Sequence, residues 1–142
     1  MTFYKYFSNK KDLLHYVWES WLDEGIERLD EIDAMDIPLP DKIHKMFVWK
    51  TNFLSNISEE LLLDIAEFRL SNKRSINRFI KFIIDARKRG EIRSDIKLEF
   101  LMMVLNKLYE LGNDQELRSL YPDVMEFNRE VKDFFWYGIM AK

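Results

Sequence analysis

Cysteine is absent from this chain, which excludes disulfides, thiolate-bound zinc and thiol catalysis from the outset. Glycine occurs four times and proline three times in 142 residues. That is too few turn formers for a series of short strands, so long helices are expected. No apolar run reaches the roughly 18 residues a membrane span requires, because charges interrupt even the richest segment, Leu98 to Leu105, on both sides. The first residues lack the apolar core of a secretion signal, and a cytoplasmic address is expected by default. Also missing are a glycine-rich phosphate loop, a Gly-x-Ser-x-Gly elbow and a His-Glu-x-x-His pair. The chain is therefore expected not to be an enzyme, with no catalytic residue, no cofactor and no metal.

What is present is enough to build a core. Apolar residues make up 47% of the chain and aromatics 15%, which suits one domain held together by burial alone. The net charge is -3, yet Lys5, Lys10 and Lys11 are the only charges among the first eleven residues, leaving -6 on the remainder. A small basic end on an acidic body suits a protein that touches phosphate at one end, although an ordinary solvated terminus would look the same.

Apolar residues recur at spacings of three and four, predicting an all-α fold of six full helices and one N-terminal fragment, Thr2 to Phe7. Ser8 and Asn9 offer caps for a helix with Leu14, Val17, Trp21 and Leu29 near one face. Asp23, Glu27, Asp30 and Glu31 form its other face and are expected to be solvated. A linker with two prolines covers Asp33 to Pro40, and Asp41 is expected to cap the next helix, which stops near Asn56. Ser58 starts a short helix to Leu70. Ile76, Phe79, Ile80 and Ile83 mark another, closed by Arg87, Lys88, Arg89 and Gly90 in the pattern of a helix C-terminus. The following helix carries Leu98, Leu101, Leu105 and Leu108 in heptad register, with a second stripe of Phe100, Val104 and Leu111 beside it. Two apolar faces call for two partners. A last helix is expected to open at Pro122 and run to Ile139.

The opening residues Thr2-Phe3-Tyr4-Lys5-Tyr6-Phe7-Ser8-Asn9-Lys10-Lys11-Asp12-Leu13-Leu14 resemble, position by position, a TetR-family segment. In that family it forms the end of the recognition helix, its turn and the start of the long connecting helix. Weaker likenesses lie at Arg89-Gly90-Glu91-Ile92-Arg93-Ser94-Asp95 and at Phe134-Phe135-Trp136-Tyr137-Gly138-Ile139. The resemblance implies a TetR-like C-terminal ligand-binding and dimerisation bundle over residues 9–142. Residues 1–8 would be a remnant of the helix-turn-helix head, short of the two helices that normally precede it. Matched by position, Thr2, Tyr4, Tyr6 and Lys10 would lie near operator DNA, with Lys10 on a phosphate at the helix start. Phe3 and Phe7 would be core plugs.

Two further groups of residues are expected to carry function. Phe47, Trp49, Phe53, Phe68, Phe79 and Phe82 would line a pocket for a small apolar or aromatic effector, although core packing explains large aromatics equally well. Leu101, Val104, Leu105, Leu108, Phe127, Val131, Phe134 and Phe135 would form a homodimer interface on the last two helices. The function expected is therefore a transcriptional repressor's sensor and dimerisation domain, its DNA binding impaired or lost with the missing part of the head. The alternatives are a stand-alone dimeric helical small-molecule-binding protein and, more distantly, a metal-dependent helical-bundle enzyme. The last rests only on the repeat of Asp-x-x-His at Asp12–His15 and Asp41–His44, where the dipole of a helix N-terminus already accounts for both acids.

Overall fold

A computed structural model describes residues 9–58, 60–61, 64, 73–111 and 114–141. Among these residues the chain is all-helical: α1 Lys10–Asp33, α2 Leu39–Ser55, α3 Lys73–Lys88, α4 Leu98–Leu111, α5 Gln115–Arg118 and α6 Val124–Ile139. The expected fragment Thr2 to Phe7 and most of the expected helix from Ser58 to Leu70 lie outside the described residues. Ser58 does act as a cap there, its hydroxyl accepting from the Leu61 amide at 3.2 Å. The chain divides into two compact units, Met1–Phe82 and Ile83–Lys142, with the division falling inside α3.

In the first unit, α1 begins where its capping residue dictates. Asn9 is extended (φ -161°, ψ 173°) and its side chain accepts from the Asp12 amide at 2.9 Å, satisfying one of the four amides a helix start leaves open. α2 starts two residues before the expected Asp41 cap. Pro38 (φ -60°, ψ 152°) takes the capping position, its carbonyl accepting from the Asp41 and Lys42 amides. Pro40 then occupies the first turn, where proline's missing N–H costs nothing, and Asp41 sits in that turn near the positive end of the dipole. The buried residues described here are Ile32, Leu39, Ile43, Phe82 and, unusually, Lys42.

The second unit opens with the end of α3, closed as expected. Gly90 takes φ +81°, a left-handed value that glycine alone reaches cheaply, and the Gly90 and Glu91 amides donate to the Arg87 and Ala86 carbonyls. The chain after the glycine pairs with the end of α6 through an isolated bridge between Ile92 and Met140. The Arg93 amide donates to the Ile139 carbonyl at 2.9 Å and the Ala141 amide to the Glu91 carbonyl at 3.0 Å. α5 is a single turn capped by Asp114, too short to leave any periodicity in the sequence. α6 is capped by Asp123, whose carboxylate accepts from the Met125 amide, so Pro122 precedes the cap and is not the first helical residue. Ile83, Ala86, Ile92, Leu101, Leu105, Phe127, Phe135 and Ile139 are buried.

Candidate functional site

The residues expected near DNA are Thr2, Tyr4, Tyr6 and Lys10, and the first three lie outside the described residues. Lys10 is the first residue of α1 and its side chain is 73% exposed. Its ammonium is paired with Asp64 at 3.3 Å, so a phosphate here would compete with a carboxylate already in place.

The aromatic group is built from α1 and α2. Phe53 stacks on Trp49, with ring centres 5.1 Å apart and planes at 22°, and meets Trp21 edge-on at 5.6 Å. Spacing explains the first contact, since positions 49 and 53 are neighbours on one helix face. α1 passes close to the Trp49 ring at Gly25, where an added Cβ would stand 3.8 Å from it, an ordinary van der Waals contact. Phe47 and Phe79 are half-buried, Phe82 is buried and Phe68 lies outside the described residues. Of the six aromatics expected to line a pocket, Trp49 and Phe53 meet in this cluster, and Trp21, which was not among the six, joins them. Its place on the apolar face of α1 was the available signal. The indole nitrogen of Trp18 on the same helix is buried without a hydrogen-bond partner.

A charged cluster, missed in the sequence, ties the end of α1 to α2 and α3. The buried Lys42 ammonium donates to the Asp33 carbonyl at 2.8 Å and lies 3.4 Å from its carboxylate. Arg78 spans two acids, donating through Nε to Asp30 at 2.6 Å and through an Nη to Asp33 at 3.0 Å. Burial works against the arginine's charge, but the hydrogen bonds and attraction of the two aspartates outweigh it and raise its pKa. Arg74, one turn earlier, bridges Glu19 at 3.2 Å and Asp23 at 2.7 Å. The acidic face of α1 is thus no purely solvated surface, since Asp23 and Asp30 hold α3 arginines. The usable signal was the i,i+4 spacing of Arg74 and Arg78, hidden by a separation of 45 to 55 residues.

In the second unit the expected interface residues separate into two sets. Leu101, Leu105, Phe127 and Phe135 are buried within the single chain, which removes them from any surface between copies. Val104, Leu108 and Val131 are half-buried and Phe134 is 74% exposed. On α4 the two stripes read in the sequence separate in the same way. The Leu101 and Leu105 stripe faces the core, while Phe100 and Leu111 stand in solvent at 58% and 43% exposure, joined by Met103 at 65%. This outer stripe bounds an open groove of about 580 Å³ lined by Phe100, Met103, Val104, Lys107, Leu108 and Leu111, among others. Tyr137, one turn from Phe134 on α6, is 73% exposed.

Chemically these surfaces offer apolar and aromatic contact. Among the described residues no group of three or more His, Asp or Glu could hold a metal ion, and no helix is long and apolar enough to cross a membrane. His15 lies 3.7 Å from Glu19, the acid that also pairs with Arg74. No family model, curated protein or solved structure matches the chain.

Proposed function

We propose that the chain is the effector-sensing and dimerisation part of a TetR-like transcriptional repressor. It works in the cytoplasm as a homodimer, and binds its operator specifically only where a complete helix-turn-helix head stands ahead of α1. The observation that supports this reading is the agreement of one motif with one helix start. The motif puts the turn at Ser8–Asn9 and the connecting helix at Lys10, and Asn9 is the cap with Lys10 the first helical residue. A small apolar or aromatic effector near Trp49 and Phe53 would favour one arrangement of the two heads, lowering operator affinity by population shift. A gel shift on the gene's own promoter region tests this, comparing the 142-residue chain with one extended by the in-frame upstream codons. The extended protein should bind selectively. The shorter should show only weak, salt-sensitive binding, because a few lysines on phosphate carry no sequence information. Absence of selective binding by an extended, folded protein would sink the repressor reading.

A second reading, a dimeric helical small-molecule-binding protein without DNA activity, is favoured by one contact. Lys10, the matched phosphate ligand, is engaged by Asp64. Both readings share the effector, and a thermal-shift screen of small aromatic compounds addresses it. A ligand at about 100 times its dissociation constant adds roughly 2.7 kcal/mol to the folded state. Trp49→Ala should diminish that shift.

A further inference from the structure

Trp18 turns a polar group inward with nothing to receive it. Its indole Nε1 is buried, yet no acceptor among the described residues reaches it. Arg28, Arg78 and Arg87 also bury an unpaired nitrogen, but each places another of its nitrogens on an acceptor, whereas the indole has a single donor. An indole near a surface normally turns this N–H to water while its rings pack inward, and burying the donor unpaired costs more than a typical hydrogen bond returns. Trp18 lies three residues before Trp21 and seven before Gly25, spacings that set all three on one face of α1. That face meets the aromatics of α2, with Trp21 edge-on to Phe53 and Gly25 beside the Trp49 ring. Trp18, Trp21, Trp49 and Phe53 are each only half-buried, so the seam between α1 and α2 keeps ring surface for a guest to cover.

We propose that the ligand of this seam is a flat aromatic compound bearing a neutral carbonyl, whose oxygen accepts from the Trp18 Nε1–H while its rings lie against Trp21, Trp49 and Phe53. The proposal rests on the effector reading above and names the group that effector carries. The aromatic side chains supply contact area that tolerates many shapes, and the one donor fixes which end of the ligand points inward. The acceptor is uncharged because α1 carries eight acids against three bases, a field that opposes a carboxylate.

Three probes of nearly one shape separate these contributions: methyl β-naphthyl ketone, β-ethylnaphthalene and β-naphthoate. By titration calorimetry, Trp18→Phe should weaken the ketone about tenfold and leave the ethyl compound nearly unchanged, since only the ketone loses a hydrogen bond. The naphthoate should bind the wild type more weakly than the ketone, and high salt should narrow that gap. A second measurement needs no variant to fold: in isotope-labelled wild type, the Trp18 indole proton should move downfield on adding the ketone and stay in place with the ethyl compound. Equal weakening of both compounds, or of neither, with an unmoved indole proton overturns the carbonyl and leaves the effector reading standing. A naphthoate that binds more tightly than the ketone overturns the uncharged acceptor. Failure of all three to bind, with no stabiliser in the aromatic screen above, overturns both the proposal and the effector.

Discussion

The two units hold themselves together by different means. In the first, ion pairs join distant parts of the chain: Lys10 with Asp64, Arg74 with Glu19 and Asp23, Arg78 with Asp30 and Asp33. In the second, ion pairs join near neighbours, as in Arg93 with Asp95, Lys107 with Glu110 and Lys132 with Asp133. Its distant segments meet instead through buried Leu, Ile and Phe side chains and through the backbone bridge at Ile92 and Met140. Apolar burial presents no charge for salt to screen and is nearly indifferent to pH, whereas exposed charge pairs are screened as the Debye length falls from about 8 Å at physiological ionic strength to about 3 Å at 1 M. The first unit should therefore be the one that responds to solution conditions.

The largest test of this contrast lies in the apolar unit. Phe135→Ala removes a side chain 4% exposed and should cost about 3–5 kcal/mol in urea unfolding, with the same penalty at low and high salt. A penalty below 1 kcal/mol would show that the second unit does not depend on this packing. Next comes Arg78→Met, which strips the mostly buried Asp33 of one of its two cations. Breaking such a pair costs about 3 kcal/mol, and Lys42 remaining beside Asp33 should hold the loss near the lower end. Hydrogen exchange should place that loss in α1 and α2; an equal loss in α4 and α6 would dissolve the distinction between the units. Arg74→Ala should cost less than about 1 kcal/mol, because its partners are exposed, and nothing measurable in 1 M salt.

The smallest effect is local and concerns pH. The Arg93 guanidinium, donating to both Asp95 oxygens, holds that carboxyl at about 2 against an ordinary 3.8. A depressed acid stabilises the fold above its unfolded pKa and loses that contribution as pH falls through the folded value, so the window lies between about 4 and 2. An NMR titration should find Asp95 near 2 and Arg93→Ala should return it toward 3.8. An unshifted Asp95 would show that the pair does not persist in solution.

Local signals were legible in the sequence and distant ones were not. Asn9, Gly90 and the two stripes of α4 could be read because each depends on residues within a turn or two. The start of α2 was misplaced because Asp41 is a good cap, while Pro38 and Pro40 looked like linker although proline is equally at home in a helix's first turn. α5 escaped because four residues carry no period. The pairing of the acidic face of α1 with Arg74 and Arg78 lies in tertiary structure, and a row of acids on a helix reads the same whether water or arginine answers it. On α4, periodicity found both stripes but could not say which one the chain covers itself.

The bridge between Ile92 and Met140 bears on folding kinetics. The second unit closes on itself through segments 45 residues apart, where the Arg93 guanidinium also reaches the Gly138 carbonyl. Helices form from neighbours in microseconds, but a contact of this separation waits on loop closure and on the last residues of α6 leaving the ribosome. Until then the Arg93 amide has no acceptor in the Ile139 carbonyl, and Ile92 and Ile139, both buried in the finished fold, have yet to meet their partners. Protection of the Arg93 and Ala141 amides should therefore appear together in pulse-labelling, after that of the helices they join.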